Sequence, residues 1–263
     1  MTFSAKSIIV AALLCGLTAC GGDENNSEII FDAVSVSREV ALDKSPDSPL
    51  CKVGINLKCA KGDDKAKADS VNMALAKWLF NTEDMTLKQA ADSFANEYTR
   101  GYTETLAKLY REDKAYPDRR AWYQYSYKID TEVRQGRKNV TVYIATVDYY
   151  EGGAHSIMQK LTTNFDSKTG RTLTLADVFV PGYEPHLREI LLSELEEKAG
   201  AKDLDDLHAQ GYLYSMDMFV PANFIIGEDG VTFIYNMYEI APYEKGMTEL
   251  TVDYSDLTDL LPR

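Results

Sequence analysis

Histidine and cysteine are scarce in this 263-residue chain, with three and four copies, and neither set is spaced for chemistry. His155, His186 and His208 lie far apart, without the short spacing that brings imidazoles onto one metal. No HExxH, GxSxG or phosphate-binding P-loop occurs, and no GxGxxG opens a helix. Basic residues are in deficit: 28 Lys and Arg stand against 41 Asp and Glu, a formal charge of −13. That balance argues against nucleic acid and anionic membrane surfaces as partners. The N-terminal apolar run, "SIIVAALL" at 7–14, is too short to cross a bilayer. Internal repeats are missing, and so is any low-complexity tract beyond a short polar stretch near the N-terminus.

What is present is an ordinary globular composition, 45% hydrophobic and 26% charged, with tyrosine the outlier at 17 copies. The length suits one compact unit or two small subdomains. Lys6, the apolar run and Leu17-Thr18-Ala19-Cys20 follow one another as in a signal peptide. The last four resemble the lipobox of bacterial lipoproteins, which implies cleavage before Cys20 and diacylation of its thiol. A plain secretory signal is the alternative. Acyl chains contribute about 0.8 kcal/mol per buried methylene, so two or three of them hold a protein on a membrane. Residues 1–19 are therefore expected to be removed and 20–28, "CGGDENNSE", to act as a lipidated tether. Asp23 and Glu24 resemble the acidic tract of surface-exported lipoproteins in some Gram-negative bacteria. Losing one lysine and no acid takes the mature charge to −14. A cationic partner would be favoured, but an acidic surface that simply keeps the chain soluble accounts for the charge without any partner and is the default reading.

Cys15 leaves with the signal, so Cys51 and Cys59 remain. In "CKVGINLKC" the apolar residues alternate: Cys51, Val53, Ile55, Leu57, Cys59. A straight strand would separate the two sulfurs' backbones by roughly 26 Å, against the roughly 7 Å that a disulfide tolerates. Free thiols are expected, with a bridge through a bend at Gly54 as the lesser alternative.

Periodicity predicts an α+β fold with a largely antiparallel sheet packed by several helices. Strands are expected over 30–40 and 51–59, a helix opening at Asp69-Ser70, and a long helix capped by Thr86. A hairpin follows, with alternation beginning at Tyr123, "RQGRKN" as its turn and Val140, Val142 and Ile144 on the return. A strand over 156–165, a capping box from Thr174 to Asp177, a helix over 184–199, a hairpin across Glu228-Asp229-Gly230, a strand at "ELTVDY" and a terminal helical turn complete the chain. The expected division is 29–148 for an N-terminal strand–helix region and 149–263 for a C-terminal domain.

That C-terminal half carries a resemblance. Gly152-Gly153-Ala154-His155, Asn164-Phe165-Asp166 with Thr169-Gly170, Asn223-Phe224, and Tyr238-Glu239-Ile240-Ala241-Pro242-Tyr243 with Gly246 occur in order. Together they resemble the domain-of-unknown-function family of the RsiV extracytoplasmic domain, found also beside the catalytic domain of the PdaC peptidoglycan deacetylase. The resemblance runs from about Tyr149 to Tyr254. It implies a non-catalytic envelope domain that binds a ligand or protein; in RsiV that partner is lysozyme. The lipid anchor, and the lack of a visible transmembrane or sigma-binding segment, set this chain apart from RsiV.

The candidate ligand-binding residues are Tyr149, Tyr150, Glu151, His155, Tyr238, Glu239 and Tyr243. Tyrosine suits binding because its ring is rigid and amphipathic; an aromatic loop that merely closes one end of the sheet is the equal alternative. His155 fits a strand start after a tight turn better than a catalytic base. Catalytic residues, cofactor and metal are all expected to be none. Partners are the membrane, through the lipid anchor, and a cell-wall component or a cationic wall-active protein. Two other classes stay open: a carbohydrate- or peptidoglycan-active hydrolase using Asp/Glu pairs, for which Asp148, Glu151 and Glu239 could be enlisted, and a structural subunit of an outer-membrane assembly.

Overall fold

The computed structural model describes residues 28–262, so the expectations for residues 1–27, including lipidation at Cys20, lie outside it. Its frame is a six-stranded sheet in chain order. The strands are β1 (Ile30–Ala41), β2 (Leu50–Lys61), β3 (Tyr125–Gln135), β4 (Val140–Glu151), β5 (Ile157–Asp166) and β6 (Thr172–Leu173). All neighbours pair antiparallel except β2 and β3, which run parallel from Cys51↔Tyr125 to Asn56↔Asp130. A parallel pair needs a long crossover. Here α1 (Lys65–Phe80) and α2 (Leu87–Asp113) supply it, with a 3-10 turn at Pro117–Tyr123. A second sheet holds β7 (Phe224–Ile226), β8 (Gly230–Tyr235) and β9 (Thr248–Asp253). Between the sheets in sequence lie α3 (Leu175–Val178), α4 (Glu184–Ala199) and α5 (Leu204–Ala209). The α+β, largely antiparallel expectation holds.

Strand β4 organises the interior because both its faces are buried. Tyr143, Ala145 and Val147 point to a first core, with Ile55 and Leu57 of β2, Val71 and Leu75 of α1, and Leu87 and Ala91 of α2. Val140, Val142 and Ile144 point to a second core, with Leu187, Leu191 and Leu195 of α4, Phe233 of β8 and Val252 of β9. The near-continuous run "VTVYIATV" at 140–147 suits a strand covered on both sides. The division expected after residue 148 falls inside β4, and the six-stranded sheet draws on both halves.

Two element starts differ clearly from expectation. Helix α1 starts at Lys65, four residues before Asp69, because the Asp64 side chain accepts a hydrogen bond from the Lys67 N–H and caps it there. Strand β3 starts at Tyr125, since Pro117 opens a 3-10 turn that takes up Tyr123. Thr86 does cap α2, through a capping box with Gln89. The tail after Tyr254 forms successive turns that bury Leu257 and Leu260.

Candidate functional site

The turn from β4 to β5 is tightly braced. Gly152 has φ +72°, and a Cβ there would sit 1.9 Å from the Trp122 carbonyl oxygen, so only glycine fits. The Tyr150 hydroxyl donates to the Gly153 carbonyl at 2.9 Å. His155 is thereby held out from the turn, exposed, and its ring stacks on Tyr243 at 3.6 Å and 13°. Tyr238 lies 5.9 Å from Tyr243, is 57% exposed and has φ +69°. Positive φ is uncommon for a residue with a side chain; here the Tyr238 N–H donates to the Ala241 carbonyl and the Glu239 N–H to that of Asn236. Glu239 also accepts from the Asn236 N–H at 2.7 Å, so its carboxylate holds the turn. Beside it, Tyr214, Met216, Tyr238 and Pro242 line a shallow hollow of about 440 Å³. Tyr214 is 80% exposed. Segments 88 residues apart thus build one aromatic rim.

Tyr149 and Glu151 face a different place. Tyr149 stacks on Tyr127 at 5.8 Å, and Glu151 accepts from the Tyr98 hydroxyl at 2.7 Å. Tyr98 belongs to α2, which with the end of the sheet forms a cleft of about 370 Å³ lined by Phe94, Glu97, Tyr98, Tyr102, Tyr125 and Glu151 among others. Burial, then the hydrogen bond to Glu151, pushes the Tyr98 hydroxyl pKa far up; burial does the same for Tyr102. The candidate residues therefore divide between the rim (Tyr150, His155, Tyr238, Glu239, Tyr243) and the α2 side of the sheet, where Glu151 lines the cleft and Tyr149 packs on Tyr127 behind it. Sequence reading missed the α2 side of the cleft, because Phe94, Tyr98 and Tyr102 recur at helical spacing and read as core.

Several of the most distinctive sequence features are architectural. Asn164 is 1% exposed; its amide donates to the Phe224 carbonyl and its carbonyl accepts from the Ile226 N–H. Asn223 accepts from the Thr162 N–H and donates to the Lys160 carbonyl, and Asn236 accepts from the Lys160 N–H. Three amides thus satisfy backbone groups where β5 meets the second sheet. Asp166 accepts from the N–H groups of Lys168 and Thr169 and holds the next turn.

Cys51 and Cys59 lie on the unbroken β2 and are free thiols. Cys51 is wholly buried, and burial, then the nearby Glu151 charge, pushes its pKa up to about 11. Cys59 is only partly buried, and its pKa is also raised, chiefly by burial. Among the described residues no group of His, Cys, Asp and Glu is arranged to hold a metal, and no helix is long and apolar enough to cross a membrane.

Residues 176–255 match the family described as "protein of unknown function (DUF3298)". The fold is similar to a crystal structure of a DUF3298 family member from Bacteroides fragilis NCTC 9343. Identity is 28% and the TM-score 0.82, over 91% of this chain and 96% of that one. It is also similar in fold to a DUF3298 family protein from Pseudomonas aeruginosa PAO1, at 19% identity and TM-score 0.59, over 90% and 97% of the two chains. No curated protein matches the chain.

Proposed function

We propose that this chain, which carries a DUF3298 domain at residues 176–255, is a binding protein of the cell envelope, anchored through acylated Cys20 and without catalysis of its own. One observation carries the reading. The rim presents open aromatic surface from His155, Tyr238 and Tyr214 around half-buried Tyr243, while Tyr150 and Glu239 are occupied in bracing its turns. Rigid exposed tyrosines suit recognition, since little side-chain freedom is lost on contact. A carboxylate that holds a turn is poorly placed to move protons. The ligand class is a cell-wall component or a cationic wall-active protein, as lysozyme is for the domain that the sequence resembles. An acidic chain would draw a cationic partner in by long-range attraction.

The test is capture from envelope extract with the soluble mature chain, comparing wild type with Tyr238→Ala/Tyr243→Ala. The expected outcome is one retained partner or wall fragment, with retention reduced about tenfold in the double variant. His155→Ala should weaken retention less and leave the fold intact. Glycan cleavage by the purified wild type that His155→Ala abolishes would replace this reading with a hydrolase.

A further inference from the structure

The cleft beside α2 differs in chemistry from the rim. Its ring-bearing walls are Phe94, Tyr98, Tyr102 and Tyr125, with Glu97 and Glu151 at its edge, and no lining residue is basic. Two of the three tyrosine hydroxyls are already committed: Tyr98 donates to Glu151, and Tyr102 donates to the Tyr123 carbonyl at 2.8 Å. What those rings have left for a visitor is aromatic carbon. The rings are also fixed against one another, with Phe94–Tyr98 at 5.8 Å and Tyr102–Tyr125 at 5.2 Å. Aromatic carbon flanked by carboxylates, without a competing cation, is the chemistry that recognises a positive charge on an apolar stem.

A second observation comes from the helix itself. Gly101 lines the cleft from within the 27-residue α2. Glycine is a poor helix former, yet a Cβ at this position would meet nothing within 4 Å beyond the helix's own neighbouring backbone. Neither packing nor backbone conformation calls for glycine there. What it keeps is width in the cleft.

We propose that this cleft binds an alkylammonium group, the side chain of a lysine in a peptide or protein. The lysine stem lies along Phe94, Tyr98 and Tyr125, and its ammonium meets Glu97 and Glu151. A diaminopimelate side chain offers the same amine beside a carboxylate, which the two glutamates repel, so lysine is preferred. The proposal rests on the binding reading above and narrows its ligand to a basic one, at a place separate from the rim.

The experiment is a titration of the purified soluble chain, followed by NMR of its tyrosine rings. The probes are a short lysine peptide, its Nε-acetylated twin and a peptide bearing diaminopimelate. Saturable shifts at Tyr98, Tyr102 and Tyr125 are expected, with the lysine peptide at least tenfold tighter than either comparator. Gly101→Ala should raise Tm by about 2–4 °C and yet weaken lysine binding at least fivefold. Glu151→Gln, which keeps an acceptor for Tyr98, should weaken it with Tm little changed. Equal binding of the acetylated peptide, tighter binding of the diaminopimelate peptide, or unaltered affinity in Gly101→Ala would each overturn the proposal. Because no envelope partner is involved, a failed capture on the rim leaves this result standing, and the converse holds.

Discussion

At the residue scale, burial decides what the thiols and phenols can do. Cys51 is fully covered and its pKa rises to about 11; Tyr143, deep in the first core, is pushed to about 12. Each group is neutral when folded at neutral pH and resists ionisation, while the unfolded chain ionises at its ordinary value. Both therefore add stability that is complete below the unfolded pKa and declines as pH rises through the folded one. For Cys51 the window runs from 9.0 to about 11, and for Tyr143 from 10.0 to about 12. Thermal melts across pH 7–12 are expected to be flat to about 9 and then to fall, with Cys51→Ala making the first part of the fall shallower while Cys59 still contributes to it. A Tm that rises over that range would contradict the assignment. The same scale shows where sequence reading ran out. His155 is legible as the start of a strand after a glycine turn, but its stack on Tyr243 joins residues 88 positions apart, and no local pattern encodes that.

At the element scale, legibility followed periodicity. Helix α4 was readable to its ends, because Leu187, Leu191 and Leu195 repeat along one face and Gly200, with φ +65°, closes it. The start of α1 was not, since "KAKAD" carries no apolar stripe and only the Asp64 cap marks it. The junction of the two sheets was invisible for a different reason. In sequence Asn164 and Asn223 stand only among the residues that carry the family resemblance, with no role attached, and in the fold they serve as backbone partners. Asn164→Ala strands the Ile226 N–H and removes one of the two donors on the Phe224 carbonyl, which keeps the Thr162 hydroxyl. A loss of about 1–3 kcal/mol in urea unfolding is expected, with any small-amine binding in the α2 cleft unchanged in the folded fraction. A loss under about 0.5 kcal/mol would mean that water replaces the amide at little cost.

At the scale of the whole molecule, the two cores share β4, so neither half of the chain is a closed unit. The segment that matches DUF3298, residues 176–255, holds the second sheet and α4 but not the strand they pack on. Attachment to the membrane is expected through Cys20, and Cys20→Ser should release the protein from carbonate-washed membranes; continued sedimentation with them would remove lipidation from the account.

The chain enters the fold through β1, which lies at the edge of the six-stranded sheet and pairs with β2 over twelve consecutive residues, Ile30↔Lys61 to Ala41↔Leu50. A protein held by its N-terminus while its far side grips a wall or a partner is under tension. Tension along β1 loads that whole register at once, in shear, rather than peeling its hydrogen bonds one by one. Shear needs many bonds to fail together. A strand with a single buried core side chain, Val36, is thus the one placed to resist being pulled.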